Sequence, residues 1–369
     1  MKKAVWIRLA GFCTLLALFA ACTEEQRPEP VNTNCSTDVL QVQSAYRIYA
    51  QQEFSTAINA VQLAQQAFQD LNNNPELSKL ATAKQSFYQA YLDYQRLPSF
   101  DLGIGYTQRP TPFFDEWLNP FPTNADSLNK RVSQNNPGAT NLSNGGKAVL
   151  GFPALEYLLH AFTNTESAFI DSLNANNNLG ELILAEYAYI LESLQEMQDF
   201  WNGSASDFIS NQSGVAEGDP LPLIINAFVK DFEYTKNVKL KAPAGRYNLG
   251  DPQPQLAEAK YMDKTLELAE VRYEFNKMLF YANQNQGLSL ADYVSCVAGQ
   301  DLVNSINSQF AVIDSKWLDE SFNTVVENQS LLDQLNELIN EMQKMTPPLK
   351  AQMTSALNIR ITYQDNDGD

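Results

Sequence analysis

Apolar residues recur at three- and four-residue steps along most of this chain, the spacing of helices that bury one face. Val42, Tyr46, Tyr49, Ala57, Val61, Ala64, Phe68 and Leu71 predict one long helix over 38–71, with Ser36, Thr37 or Asp38 available as its cap. Asn72, Asn73 and Asn74 end it, and Pro75 opens a second helix that carries Leu77, Leu80, Phe87, Tyr88 and Tyr91 and stops near Pro98. The two form an antiparallel hairpin. From 98 to 146 the period lapses. Pro98, Pro110, Pro112, Pro120 and Pro122 are interleaved with Phe100, Tyr106, Phe113, Phe114, Trp117 and Phe121. So many aromatics predict an ordered excursion packed on the helices, interrupted by a helical piece over 125–133.

The pattern resumes at Gly151-Phe152-Pro153-Ala154-Leu155-Glu156-Tyr157-Leu158-Leu159, which opens the most apolar helix of the first half. Pro153 suits a first helical position, and Glu156 then falls in the first turn, at the positive end of the helix dipole. Leu182, Tyr189, Leu194, Met197 and Trp201 predict a long amphipathic helix, and the Gly/Ser/Asp-rich stretch 202–220 reads as a domain boundary. The second half continues with a helix over 221–239, a Pro/Gly loop over 242–254, and a helix from 256 to about 283. Shorter helices are predicted over 289–299, 301–316, 317–328, 330–345 and 348–358, and 360–364 reads as extended. The class is all-α: two helical bundles of about four main helices each, over 38–210 and 211–369, the second ending in an extended acidic tail. No repeat of 20–50 residues supports a solenoid.

The first 21 residues change the picture of where the chain works. Lys2, Lys3 and Arg8 precede an apolar run too short to span a membrane comfortably, which reads as an export signal. Leu18-Phe19-Ala20-Ala21-Cys22 resembles a bacterial lipobox, which predicts lipidation at Cys22, a tether over 22–37 and anchoring to the outer membrane, facing periplasm or exterior. The chain carries 25 basic and 43 acidic residues, a formal charge of −18 that becomes −21 without the signal. A chain this acidic is a poor partner for nucleic acid, and its contact with membrane is expected through the lipid anchor only. In an oxidising compartment Cys35 and Cys296 are a possible disulfide, if their Cα atoms approach closely enough.

Chemistry is sparse. His160 is the one histidine, so a zinc site with several imidazoles is excluded. It lies four residues beyond Glu156, on the same helix face. Any metal site would be built from oxygen ligands and would suit iron or another hard cation, with Glu156 as first candidate. The alternative for Glu156 is a buried carboxylate paired with an Arg or capping backbone N–H groups. The C-terminal Asp365-Asn366-Asp367-Gly368-Asp369 is either a frayed acidic tail or a docked one.

The nonamer resembles the signature of the imelysin-like proteins, also called the M75 peptidase family, whose motif reads Gly-x-His-x-x-Glu. Gly151 and Glu156 match, and Pro153 stands where the motif has His. Asp367-Gly368-Asp369 is similar to that family's C-terminal ending. Weaker similarities are Trp117-Leu-Asn-Pro-Phe-Pro122, Lys239-Leu-Lys-Ala-Pro243, Glu258-Ala-Lys-Tyr261 and Gly287-Leu288. The resemblance implies a two-bundle fold and an association with bacterial iron uptake. It makes Gly151, Phe152, Pro153, Glu156, His160, Asp367 and Asp369 the candidate ligand-binding residues. With the motif histidine replaced, the expectation is a non-enzymatic component of iron or haem acquisition, partnered by outer-membrane or periplasmic uptake proteins. The alternatives are a metal-dependent peptidase and an interaction scaffold.

Overall fold

The structure, a computed structural model, describes residues 35, 38–104, 113–133, 142, 146–175, 177–282 and 288–363. The described residues are helices and turns, without a strand. In chain order the helices are α1 (Asp38–Asn73), α2 (Leu77–Tyr94), α3 (Asp115–Leu118), α4 (Ala125–Ser133), α5 (Gly151–His160), α6 (Glu166–Ala175), α7 (Asn177–Asn202) and α8 (Ser204–Asn211). The second half holds α9 (Pro220–Tyr234), α10 (Thr265–Tyr281), α11 (Leu290–Ala298), α12 (Gln300–Asp314), α13 (Phe322–Glu327), α14 (Gln329–Thr346) and α15 (Thr354–Ala356). Two π-helical stretches, Thr235–Lys241 and Pro347–Met353, continue α9 and α14. No helix among the described residues is long and apolar enough to cross a membrane.

Two hydrophobic cores organise these elements. The first joins Phe54, Phe68, Phe87, Trp117, Phe152 and Trp201, where α1 packs on α2 and α7 and α5 packs on α7. The second joins Phe228, Phe232, Tyr273, Phe310, Ile339 and Met342 from α9, α10, α12 and α14. Helix α10 serves both. Leu268, Phe275 and Leu279 enter the first core, while Leu266, Ala269, Tyr273 and Phe280 enter the second. A helix apolar on two sides is one that lies between two packed bodies. Helix α1 also contributes to both, with Val39 and Val42 in the second core and the rest of its buried face in the first.

Several element boundaries differ from those expected. The helix predicted from 256 begins only at Thr265, because 257–264 is a turn with positive φ at Ala259 and Asp263, held by bonds from other parts of the chain. The signature helix starts at Gly151 instead of Pro153, which puts Glu156 in the second turn. There it gains little from the dipole, which acts within the first. The stretch 202–220 contains α8, whose Ala205 and Ile209 pack into the first core.

Cys35 and Cys296 are joined in a disulfide, with Cα atoms 6.0 Å apart and 261 residues between them in sequence. It ties the entry to α1 onto α11. A crosslink closing so long a loop removes much unfolded-state entropy. Replacing both cysteines with serine is expected to lower stability by about 2–5 kcal/mol in urea unfolding followed by circular dichroism.

Candidate functional site

The signature helix is buried along its whole length to Leu159. Gly151 has φ +74, and a Cβ there would lie 2.1 Å from the Leu118 carbonyl oxygen, so the position admits glycine alone. Its N–H donates to Glu186 Oε2 on α7 at 3.0 Å. Phe152 stacks on Tyr91, ring centroids 4.9 Å apart, and packs on Tyr94 at 4.6 Å. Pro153 occupies the first turn, where the missing N–H costs no helical bond.

Glu156, only 2 % exposed, turns away from its own helix toward the turn before α10. Its Oε1 accepts the peptide N–H of Tyr261 at 2.6 Å and of Met262 at 2.9 Å. The carboxyl is pushed up to about 8, chiefly by burial, with Glu258 adding to the rise and the two N–H groups and Lys260 opposing it. Glu186 behaves alike. Burial pushes it to about 8 against the Gly151 N–H and the Arg131 charge. Each carboxyl spends one oxygen on peptide N–H groups, Oε1 in Glu156 and Oε2 in Glu186, and the other oxygen can carry a proton.

The same turn carries Glu258, which anchors a second set of contacts. Glu258 is fully buried, forms an ion pair with the equally buried Lys239, and accepts from Asn119 Nδ2 at 2.6 Å and Gln95 Nε2 at 3.1 Å. Lys239 also donates to Gln95 Oε1 at 2.7 Å, and Tyr91 donates to Asn119 at 2.6 Å. Beside it, Arg272 of α10 donates Nε to Asp231 Oδ1 and Nη2 to Asp115 Oδ2, both at 2.5 Å, with its guanidinium 4.6 Å from the Tyr234 ring centre. Tyr94 donates to Asp115 at 2.7 Å, and Ser99 donates to Asp231. Burial raises Asp115, but the Arg272 charge and hydrogen bond outweigh it and hold the carboxyl below its ordinary value. Asp101, which lacks so close a cation, is pushed to about 7 by burial, although Lys230 and the N–H groups of Gly103 and Phe114 draw it down.

The sequence candidates are therefore distributed unevenly. Gly151, Phe152, Pro153 and Glu156 sit at this junction. His160 ends α5 with its ring 6.2 Å from Phe87, and burial, aided by the Lys84 charge, lowers its imidazole to about 4. It makes no hydrogen bond to Glu156, and its Nε2 is buried without a partner among the described residues. Asp367, Asp369, the Cys22 lipidation site and Gly287 lie outside the described residues. Of the two states open to Glu156, the structure has it accepting backbone N–H groups. Among the described residues no three His, Cys, Asp or Glu side chains are grouped to hold a metal ion.

Sequence reasoning missed Glu186, Asp115, Asp231 and Arg272. Nothing in helical spacing marks a buried arginine, which looks like one more surface charge. For Lys239, Glu258 and Asn119 there was a signal. They lie in the weakly similar stretches beginning at Lys239, Glu258 and Trp117, and Glu258 bonds both of the others.

A protein-family model described as Imelysin, of the M75 peptidase type, matches residues 50–355. No curated protein sequence matches the chain. Among solved structures, an imelysin-like protein from Psychrobacter arcticum superimposes with a TM-score of 0.67 at 12 % identity, covering 90 % of this chain and 99 % of that one. A provisionally named iron-regulated protein A precursor from Parabacteroides distasonis gives 0.69 at 11 % identity, covering 85 % and 95 %. At these identities the likeness is one of fold.

Two outcomes follow from the geometry. Gly151→Ala meets both a positive φ and a backbone carbonyl, and is expected to cost about 2–5 kcal/mol in thermal or chemical unfolding. The pH dependence follows from Glu156. Its folded value near 8 exceeds the ordinary 4.5, so the folded chain keeps a proton that the unfolded chain has released. That stabilisation is complete below 4.5 and is lost as pH rises through 8. His160, depressed from 6.5 to about 4, acts in the opposite direction only below 6.5. Stability should therefore fall between pH 6.5 and 8, and Glu156→Gln should remove one proton's worth of that slope in urea titrations across the range.

Proposed function

The chain belongs to the imelysin family, and we propose that within it this protein is a non-enzymatic component of bacterial iron or haem acquisition. In this reading it is exported, lipid-anchored through Cys22 at the outer membrane, and takes an iron chelate, haem or an uptake partner at the junction of its two cores. The observation that carries the non-enzymatic part is the state of Glu156. A hydrolytic role asks the motif carboxylate to hold a metal or to move a proton on a bound water. Here the carboxyl is only 2 % exposed, its Oε1 is committed to two peptide N–H groups of a turn 105 and 106 residues away, which leaves Oε2 alone for a metal or a water, and Pro153 offers no imidazole beside it. The motif works as a latch between α5 and the turn that leads into α10.

The iron part is supported by the name of the Parabacteroides distasonis neighbour and by a chain with 43 acidic residues and one histidine. The carboxylates at the junction already have partners: Glu258 has Lys239, and Asp115 and Asp231 have Arg272. Bare-ion ligation would have to break those pairs, which favours a chelate, haem or a protein as the ligand.

The test is binding of haem, ferric citrate and Fe³⁺ to the purified full chain, combined with growth of a deletion strain on limiting iron. The expected results are saturable binding of an iron species and a growth defect relieved by excess iron. Failure to bind any of the three, with normal growth, would sink the proposal. Cleavage of unfolded casein that is lost with chelator and with Glu156→Ala would establish the peptidase instead.

A further inference from the structure

A groove of about 690 Å³ on the second half of the chain, far in sequence from the signature helix, is lined by Lys241, Arg246 and Lys350 together with Asn340, Gln343 and Thr346. Among the described residues that line it there is no carboxylate, although the chain as a whole carries −18. Two π-helical stretches border it. Thr235–Lys241 supplies Lys241, and Pro347–Met353 supplies Lys350. Such stretches are rare and frequently mark functional sites. Lys236 donates to Thr346 Oγ1 at 2.9 Å.

The partners of these cations decide the reading. Arg246 donates Nη1 to Asn336 Oδ1 at 3.2 Å and Nη2 to Asn340 Oδ1 at 3.0 Å. Two amide oxygens thus orient the guanidinium without neutralising it. Its loop is fixed as well: Gly245 has φ +79, and a Cβ there would lie 2.1 Å from the Asp251 carbonyl oxygen. Lys241 Nζ lies 4.8 Å from the Tyr247 ring centre, again an uncharged partner. Neither Lys241 nor Arg246 has a carboxylate partner among the described residues. The buried Glu233 is shared between Lys350 at 3.3 Å and Lys236 at 3.5 Å. Lys241 and Arg246 thus bring to the groove two positive charges that no carboxylate among the described residues neutralises.

We propose that this groove binds a small anion bearing several carboxylate or phosphate oxygens, with the Arg246 fork as its principal contact and Lys241 beside it. The volume falls within the roughly 300–1,000 Å³ of small-molecule sites. A planar guanidinium with free N–H positions matches paired oxyanion oxygens, and charge-assisted bonds of this kind are the strong ones. This site is separate from the junction and does not depend on the iron reading.

The experiment is calorimetric titration of the full chain at low ionic strength with citrate, with pyrophosphate and with ferric citrate. One-to-one binding is expected for at least one probe. Arg246→Gln and Lys241→Gln should each weaken it at least about tenfold with the melting temperature unchanged. Lys344→Gln, an exposed cation paired with Glu341 and outside the lining, should leave it intact. Citrate binding alone marks a carboxylate ligand, pyrophosphate alone a phosphate ligand, and ferric citrate alone a chelate; each supports the groove. Binding of the iron-free probes upholds it even if every iron assay above fails. Silence with all three probes, or equal affinity in Arg246→Gln and Lys241→Gln, overturns it.

Discussion

Arg272 is 2 % exposed, and a guanidinium cannot be taken out of water to that degree unless carboxylates meet it. Asp115 comes from the excursion after α2 and Asp231 from α9, so α10, α9 and the excursion must arrive together or leave a buried charge unpaired. Removing one member of such a pair costs about 3–5 kcal/mol, far more than a surface ion pair is worth. Tyr94 and Ser99 complete the carboxylates' remaining acceptor positions. The Lys239–Glu258 pair repeats the logic a few residues away, with Gln95 and Asn119 in the same supporting role. Partly made, either network is worse than an apolar seam; fully made, it fixes one arrangement of the two cores.

The signature helix meets this seam with carboxyls of another kind. Asp115 has a guanidinium at bonding distance and stays below its ordinary value. Among the described residues Glu156 and Glu186 accept only from peptide N–H groups, and burial carries both to about 8. The close guanidinium outweighs desolvation at Asp115 but not at Asp231, and the neutral donors do not outweigh it at Glu156 or Glu186. One end of the junction is therefore balanced by ion pairs and the other by protons. Near pH 8 the second kind becomes a liability, which places a pH-sensitive bond at the point where α5 holds the turn before α10.

Most of the helices were legible because burial of one face imposes the 3.6 period wherever a helix packs on a single core. Helices α2, α7 and α14 are of this sort. Legibility failed where long-range bonds overrule local pattern. Residues 257–264 have helix-compatible composition, yet Glu156 captures two of their peptide N–H groups and Ala259 and Asp263 take positive φ. The end of α9 likewise widens into a π-helix around Lys236 and Lys239, both fully buried, which no periodicity announces. Glycine at 151 was readable as a motif, but its necessity lies in the Leu118 carbonyl, 33 residues earlier. The packing of the excursion around Trp117 followed from its aromatics, whereas its purpose, to deliver Asp115 and Asn119, did not.

The net charge then bears on how a cationic groove can work on this chain at all. A surface field of −18 repels small anions at long range and slows their encounter. Beyond about 8–10 Å that field is screened at physiological salt, and the described lining of the groove holds cations without a carboxylate. Binding there must rest on contact geometry in place of steering, and retention in place of fast capture. This is the situation in which an arginine held by two amides outperforms a lysine of equal charge. Its donors are already aimed, and little rotamer freedom is left to lose when the oxyanion arrives. The asparagines at 336 and 340, unremarkable as members of an exposed helix face, acquire their role from that requirement.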